Sequence, residues 1–395
     1  MRYTFAYIFC LLTAAALLLT SCATQSRPVS DRDGSRPIVS TSEAPRTLDE
    51  LLEREDFDLA RALLLFSAEY RREFEPGADR PDIEAMLEVF EAWTDELKRE
   101  IRRAGGPRAR LRTLVDFIHL KLGLRFDAGD MVGQKPDNLF FDRVLQRRYG
   151  YCVTLSAAYL VFGRAAGLDV SGVRLPGHFA VLYRDREGRE VYETLVETTD
   201  FGRPRDEAWY WSKHRFSTQS VEAGVYLTPL NNHQVMGTLF NNLAGLTYLR
   251  GLNELAEKRY TRALELAPKN AEALYNRALV RRQLGRAVDA MEDVNHALRL
   301  DPNFVTAMLL RSGLLWEGGE REQARKVLDR ALLLRPDWPE PHILDGKFLA
   351  EQGRVDDAKA SFERALEADP GNQDALIAMK QLEDATRKRQ GTRNE

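Results

Sequence analysis

The sequence predicts an α+β domain with a helical N-terminal region, followed by an all-α solenoid of repeats. Apolar residues recur at helical spacing from 82 to 122, and a further helix at 153–166 leads into strand-like runs up to residue 198. From 237 to 370, five columns of identical residues recur every 34 positions. A chain of 395 residues with 44% hydrophobic side chains is long and apolar enough to bury two or three such cores.

The charge balance and the cysteine count exclude several classes of protein. Lys and Arg total 57 against 60 Asp and Glu, so the net charge of −3 argues against a dedicated nucleic-acid binder and a disordered polyelectrolyte. Three cysteines are too few for a disulfide framework. We expect no metal site and no cofactor, because no histidine pairs with a cysteine or a second histidine at ligand spacing. A structural role is expected for five of them: His119, His214, His233, His296 and His342.

The N-terminus has the pattern of a targeting segment. After Met1-Arg2 an apolar run extends from Phe5 to Leu19, which is the build of a secretory signal peptide over residues 1–21. The closing Leu-Thr-Ser-Cys resembles a bacterial lipobox, which implies a lipid-modified Cys22 and an outer-membrane lipoprotein facing the periplasm. The alternative is an uncleaved N-terminal anchor helix. Residues 22–46 have the composition of a flexible tether.

Helices and strands of the first domain can be placed by periodicity and by capping residues. Thr47 and Glu50 form a candidate capping box, and apolar spacing predicts helices over 82–103 and 108–122. A buried helix over 153–166 should stop at Gly167. Strands are predicted at 170–173, 179–183 and 191–198, with a hairpin turn over Arg184–Gly188.

The 34-residue columns define four units and their internal geometry. Gly marks the turn after the first helix, Ala marks close helix crossings, and Pro marks the stop of the second helix. The columns are Gly251, Gly285, Gly319, Gly353; Ala256, Ala290, Ala324, Ala358; Ala263, Ala297, Ala331, Ala365; Leu264, Leu298, Leu332, Leu366; and Pro268, Pro302, Pro336, Pro370. We place the first domain at 47–232, the four repeats at 233–371, and a capping helix with its tail at 372–395.

These columns resemble the tetratricopeptide repeat, which implies that a protein or peptide partner binds in a groove lined by the first helix of each unit. The expected groove residues are Asn241, Tyr248, Tyr275, Leu279, Arg282, Leu309, Trp316, Ile343 and Lys347. The alternative for the aromatic residues among them is packing between repeats.

A candidate catalytic group surrounds the one thiol left after removal of the leader. Cys152 begins a helix, whose N-terminus favours a thiolate. A Pro-Gly turn delivers His178 to the start of a strand, and the next strand carries Glu197, with Glu193 and Asp200 as rivals. A thiol, an imidazole and a carboxylate are the parts of a nucleophile, a base and a group that orients the base.

Cys152, the Pro-Gly-His turn and Val196-Glu197-Thr198-Thr199 resemble the transglutaminase-like core of bacterial proteins, in its SirB-type variant. The segment 137–150 before the cysteine is a further mark, and the resemblance spans about residues 80–202. It implies a papain-like site with Cys152 as nucleophile and His178 as base. The third member is Asp or Asn in most such cores, so Glu197 departs from the pattern.

Two functions follow from this resemblance. The first is cysteine-dependent amide hydrolysis or acyl transfer on a protein or peptide substrate that the repeats recruit. The second is a non-catalytic scaffold lipoprotein, because some SirB-type relatives lack the cysteine.

Overall fold

The computed structural model describes residues 45–130, 133–214 and 216–391. The predicted signal peptide, Cys22 and the tether up to residue 44 lie outside the described residues. Within the described part of the chain, no helix combines the length and the apolar character needed to cross a membrane.

Among the described residues before the repeats, eight α-helices and six strands are present. The helices are α1 (Leu48–Leu52), α2 (Leu59–Tyr70), α3 (Ile83–Arg103), α4 (Pro107–Asp116), α5 (Phe141–Arg147), α6 (Cys152–Ala158), α7 (Glu207–His214) and α8 (Thr218–Glu222). The strands are β1 (Arg125–Phe126), β2 (Tyr149–Gly150), β3 (Asp169–Leu175), β4 (His178–Glu187), β5 (Glu190–Glu197) and β6 (Arg203–Arg205).

The predicted helices are present, with their starts set by local hydrogen bonds. The capping box at Thr47 forms as expected, because its side chain accepts from the Glu50 N–H while the Glu50 side chain accepts in return. Asp82 caps α3 by accepting from the Ala85 N–H at 3.1 Å. π-helical turns at Phe117–Lys121 and Tyr159–Gly163 continue α4 and α6. The helices predicted over 108–122 and 153–166 therefore each consist of an α segment and a π segment.

The central sheet is antiparallel in the order β3-β4-β5-β6, and it confirms the three predicted strands. The hairpin between β4 and β5 is tighter than predicted. Glu187 pairs with Glu190, so the strands run through most of the predicted turn and only Gly188-Arg189 connects them. Gly188 supports this two-residue turn with a φ of +61°. Strand β6 and the parallel pair β1-β2 were not expected from the sequence.

Both faces of this sheet are covered. Phe179, Val181 and Val196 face the core that contains α6 and the N-terminal helices. Leu175 and Leu195 belong to a second cluster, together with residues of and after α7: Tyr210, Phe216 and Tyr226. The end of the sheet at which β4 begins with His178 is therefore packed on both faces.

The repeats form four helical pairs and a terminal helix. Their bounds are α9 (Asn232–Leu249), α10 (Asn253–Leu266), α11 (Ala271–Gln283), α12 (Ala287–Leu300), α13 (Val305–Glu317), α14 (Arg321–Leu334), α15 (Pro339–Glu351), α16 (Val355–Ala368) and α17 (Gln373–Gly391). The four glycines of the column have φ between +75° and +83°, and each proline follows the end of a second helix by two residues. All eight alanines of the two columns are fully buried at helix crossings.

The first repeat shares its core with the N-terminal helices. The Phe66 ring of α2 packs edge-on against Phe240 of α9 at 5.3 Å between centroids. Arg259 of α10 donates to both oxygens of Glu73 at 2.5 and 2.6 Å. The array is thus fixed against the domain by apolar packing and by an ion pair.

The alanine column gives a test of the repeat packing. Ala290→Leu should lower the stability of the protein by about 2 kcal/mol, because the added carbons have no space at the crossing of α11 and α12. The same substitution at the exposed Ala287 of α12 is the control and should change the stability by less than about 0.5 kcal/mol. Urea unfolding of the full chain measures both, and equal effects would contradict the predicted close crossing.

Candidate active site

Cys152 is the first residue of α6, and a local network fixes the start of that helix. The Thr154 hydroxyl accepts from the Tyr151 N–H at 2.9 Å and donates to the Asn138 carbonyl at 2.8 Å. Gly150 is needed just before, because a Cβ there would lie 2.7 Å from Thr154 Oγ1. Cys152 is a half-buried free thiol, and its N–H stands in the first turn, where no preceding helical carbonyl is available.

His178 opens β4 directly after the Pro176-Gly177 turn, in which Gly177 has a φ of +66°. Its Nε2 lies 2.8 and 3.0 Å from the two carboxylate oxygens of Glu197. The Cys152 side chain lines the same cleft as this imidazole, and its proximity raises the pKa of His178. Because Nε2 serves Glu197, Nδ1 is the nitrogen left for Cys152, and the three residues form a chain.

Glu197 is the carboxylate that orients His178. It is 2% exposed, and its Oε1 accepts from the Thr199 N–H at 3.1 Å and from the Thr199 hydroxyl at 2.5 Å. The Tyr210 hydroxyl donates to Oε2 at 3.3 Å. The two rivals lie elsewhere, since Glu193 pairs with Arg184 on the exposed side of the hairpin and Asp200 pairs with Arg205 at 2.9 Å.

The electrostatics of the pair favour the charged forms. Burial alone would lower the pKa of His178, but Cys152 and Glu197 raise that pKa to about 10. Burial alone would raise the pKa of Glu197, but His178 and Thr199 lower it to about 2. At neutral pH the imidazole is therefore an imidazolium held by a carboxylate.

His214 of α7 lies against the back of His178. The two rings stack with centroids 5.6 Å apart and 10° between planes. The Nδ1 of His214 donates to the Pro176 carbonyl at 3.0 Å. Burial and the charge on His178 lower the pKa of His214 to about 4, so this ring is neutral beside the imidazolium. No spacing in the sequence indicates this contact, nor the roles of Thr199 and Tyr210.

Cys152 and His178 open into a cleft of about 420 Å³, and one wall of this cleft belongs to the repeats. Helices α9 and α11 supply that wall, including Asn241, Asn242, Tyr248, Glu272, Asn276 and Leu279. Three of the predicted groove residues, Asn241, Tyr248 and Leu279, therefore lie in the same cleft as the thiol. The sequence placed them in a partner groove without indicating that the groove and the site coincide.

A direct contact joins the repeats to the Pro176-Gly177 turn that precedes His178. The Gly177 N–H donates to the Glu272 carboxylate of α11, and loss of hydration raises the pKa of Glu272. A second cleft of about 700 Å³ begins at Gly177 and Glu272 and extends along the repeats past Tyr275 to Trp338. The two clefts adjoin, since Gly177, Glu272 and Asn276 line both.

Two of the remaining predicted groove residues, Trp316 and Ile343, require a correction because they are buried. Trp316 is only 8% exposed and stacks on Phe348 with centroids 3.9 Å apart, and Ile343 is 6% exposed. Both pack between repeats, which was the alternative for the aromatic residues. Arg282 is exposed but pairs with Glu317. Leu309 is partly buried against the same cluster as Trp316, and Lys347 is exposed.

The other histidines mostly bind backbone carbonyls. His119 Nδ1 lies 2.7 Å from the Leu124 carbonyl, and His233 Nε2 lies 3.0 Å from that of Leu52. In the described ranges, no three His, Cys, Asp or Glu side chains are grouped so that they could hold a metal ion.

The opposite pKa shifts of His178 and Glu197 predict the pH range in which their ion pair stabilises the protein. The Glu197 contribution to stability is present above the ordinary pKa of 4.5 and is lost as the pH falls towards 2. The His178 contribution is complete below 6.5 and is lost as the pH rises towards 10. The stability lost in Glu197→Gln should therefore be largest between pH 4.5 and 6.5, at about 2 kcal/mol.

Urea unfolding of both proteins from pH 3 to pH 10 measures this difference. Glu193→Gln, on the same strand but exposed, is the control and should show a small effect throughout. A difference for Glu197→Gln that does not vary with pH would contradict the charged pair.

Comparison with known proteins agrees with this architecture. Residues 84–241 match a family model described as the transglutaminase-like superfamily. Residues 281–345, and separately 249–303 and 343–378, match models described as the tetratricopeptide repeat. The first match extends into α9, so the domain boundary placed at 232 stays a prediction.

The chain is also similar to proteins named UPF0162 protein from two strains of Xylella fastidiosa, Temecula1 and 9a5c. Each is 24% identical over 248 residues, which cover 61% of this chain and 83% of the relative.

Among solved structures, Pseudomonas aeruginosa pilF is 22% identical and covers 40% of this chain and 72% of its own, with a TM-score of 0.36. A MamA protein is 20% identical and covers 38% and 82%, with a TM-score of 0.32. Taken together, the family matches and the geometry show that this chain contains a transglutaminase-like domain followed by tetratricopeptide repeats.

Proposed function

We propose that this protein is a cysteine-dependent amide hydrolase or acyl transferase that acts on a protein or peptide substrate held by its repeats. The observation that supports the proposal most is the chain from Glu197 through His178 to Cys152, which ends in a cleft walled by α9 and α11. A buried carboxylate with three further donors is a firm anchor for an imidazole.

The residues support a two-step reaction. Cys152 Sγ attacks the substrate carbonyl carbon and forms a thioester, while the C–N bond breaks and His178 gives its proton to the leaving amine. The Cys152 N–H at the helix start is placed to donate to the oxyanion. A water or an acceptor amine then attacks the thioester with His178 as base, and the thiol is restored.

Hydrolysis is the favoured outcome of the second step. Water is the abundant acceptor, and the described residues that line the cleft around Cys152 do not indicate a binding site for an acceptor amine. Amide and aromatic side chains dominate the repeat wall, among them Asn241, Asn276 and Tyr248. Such side chains suit hydrogen bonds to a peptide backbone and contacts with its side chains.

Alkylation of Cys152 by iodoacetamide tests the activated thiol. Mass mapping of the Cys152 peptide in the full chain separates it from the other cysteines. At pH 6 the rate should exceed that of free cysteine at least tenfold, as the proposed function requires of an activated nucleophile. His178→Ala should remove this advantage.

Glu193→Gln is the matched control, since its side chain is on the same strand and points to Arg184 rather than to the imidazole. Ordinary thiol reactivity in the wild-type protein would leave the scaffold function, with the domain retained as a docking module.

We also propose that the mature chain begins at Cys22 and is anchored by lipid in the outer membrane, facing the periplasm. The support is the charged start, the apolar run and the Leu-Thr-Ser-Cys close of the first 22 residues. The chain isolated from membranes should lack residues 1–21 and carry lipid mass on Cys22, and Cys22→Ser should release it from the membrane fraction. A mature mass that still includes residues 1–21 would refute the anchor.

A further inference from the structure

Arg174 is a buried cation without a hydrogen-bond partner on its outer nitrogens. It lies on β3 opposite Phe179, the residue after His178, and it is 5% exposed. Its Nη1 and Nη2 are both buried and donate to no acceptor among the described residues. Its side chain lines the cleft that holds Cys152 and His178.

Other buried arginines of this chain are paired. Arg71 donates to the buried carboxylate of Asp142, and Arg259 donates to Glu73. Taking a guanidinium out of water is costly unless a carboxylate replaces the lost hydration. Arg174 therefore stands out as a group whose counter-charge is not supplied by its neighbours on β3 and β4.

The two carboxylates that line the same cleft are already engaged. Asp130 accepts from the N–H groups of Gln134 and Lys135 at 2.7 and 2.9 Å. Glu272 accepts from the Gly177 N–H, and it attracts the Arg174 guanidinium through space without accepting a hydrogen bond from it. In the described part of the chain, neither carboxylate forms an ion pair with Arg174 within 4 Å. The lining of the cleft therefore includes a buried guanidinium whose outer N–H groups have no acceptor.

We propose that Arg174 binds a carboxylate of the substrate next to the bond that Cys152 attacks. The proposal rests on the proposed function, because it takes Cys152 as the reacting group. A guanidinium offers two parallel N–H groups that match the two oxygens of a carboxylate, and this geometry is strongest where water is excluded. Arg174 is then a specificity-determining residue, and the substrate class is a peptide that carries an acidic group beside the scissile amide.

The carboxylate has two possible sources, a chain terminus or the side chain of Asp or Glu. Both present the same pair of oxygens to the guanidinium. They differ in the position of the charge relative to the electrophilic carbon, so matched pairs of thiol reagents can separate them.

The first measurement compares iodoacetate with iodoacetamide on Cys152 of the full chain. The ratio of the two rate constants, iodoacetate over iodoacetamide, should fall about tenfold in Arg174→Met, which corresponds to about 1.4 kcal/mol. Arg174→Lys keeps the charge, so the same ratio should fall less in this variant. Arg186→Met, on the exposed part of β4, is the matched control and should leave the ratio unchanged.

The second measurement identifies the source of the carboxylate. Iodoacetyl-glycine against iodoacetyl-glycinamide represents a chain terminus, and acetyl-Glu chloromethyl ketone against acetyl-Gln chloromethyl ketone represents a side chain. In the pair that matches the true source, the acid should react faster than the amide in wild type. Arg174→Met should abolish this difference in rate. No preference in either pair would overturn the proposal.

The design separates this proposal from the function on which it rests. Slow iodoacetamide alkylation of wild type contradicts the activated thiol, whereas fast alkylation with a ratio that Arg174→Met does not change contradicts only the carboxylate site. Urea unfolding supplies an independent check. An unpaired guanidinium contributes no stability, so Arg174→Met should unfold at the same or a higher urea concentration than wild type, and a clearly lower midpoint would show that Arg174 is held by the chain itself.

Discussion

The burial of the Glu197 carboxylate is the constraint on which the site depends. A charge that is 2% exposed needs hydrogen-bond donors on all sides, since water cannot supply them. The donors come from three separate segments, namely β4 with His178, the turn after β5 with Thr199, and α7 with Tyr210. Each of these segments is held in place by its hydrogen bond to the same carboxylate. His178 is oriented towards Cys152 as a consequence.

The repeats complete the site from the opposite side. Glu272 of α11 accepts from the Gly177 N–H, which immediately precedes His178, while His214 covers the other side of the imidazole. The helices that would bind a partner thus also fix the turn that carries the base. Because α9 shares a core with α2, this contact does not depend on a flexible link between two bodies.

The sequence predicted those features that local geometry imposes. Each 34-residue column reflects a turn or a crossing inside one unit, so Gly285 and Ala290 could be read without knowledge of the rest of the fold. Cys152, His178 and Glu197 were chosen as candidates by their types and by the helix and strands that carry them, and the structure places His178 beside Glu197. Strand β6 and the pair β1-β2 were missed because two or three residues show no periodicity.

Contacts between distant segments could not be predicted in this way. Gly177 and Glu272 are 95 positions apart, and nothing in either segment points to the other. Trp316 looked like a groove residue because its helical face was right, yet the neighbouring repeat covers that position with Phe348. A face of a helix can be assigned from periodicity, but what packs on it depends on the angle at which repeats stack.

The polar groups around His178 show that this end of the sheet is not arranged for stability alone. Arg174 keeps two donors without partners, His214 keeps a buried Nε2 without a partner, and Glu272 has a raised pKa. The unpaired nitrogens of Arg174 and His214 oppose folding because they lose their hydration without replacement. Burial also disfavours the charged form of Glu272, although Gly177 donates to it. The shared core of α2, α9 and the sheet offsets this cost by apolar burial away from the cleft. On the proposed function these groups await a ligand, since a substrate that supplied the missing acceptors and donors would gain free energy that the protein alone does not have.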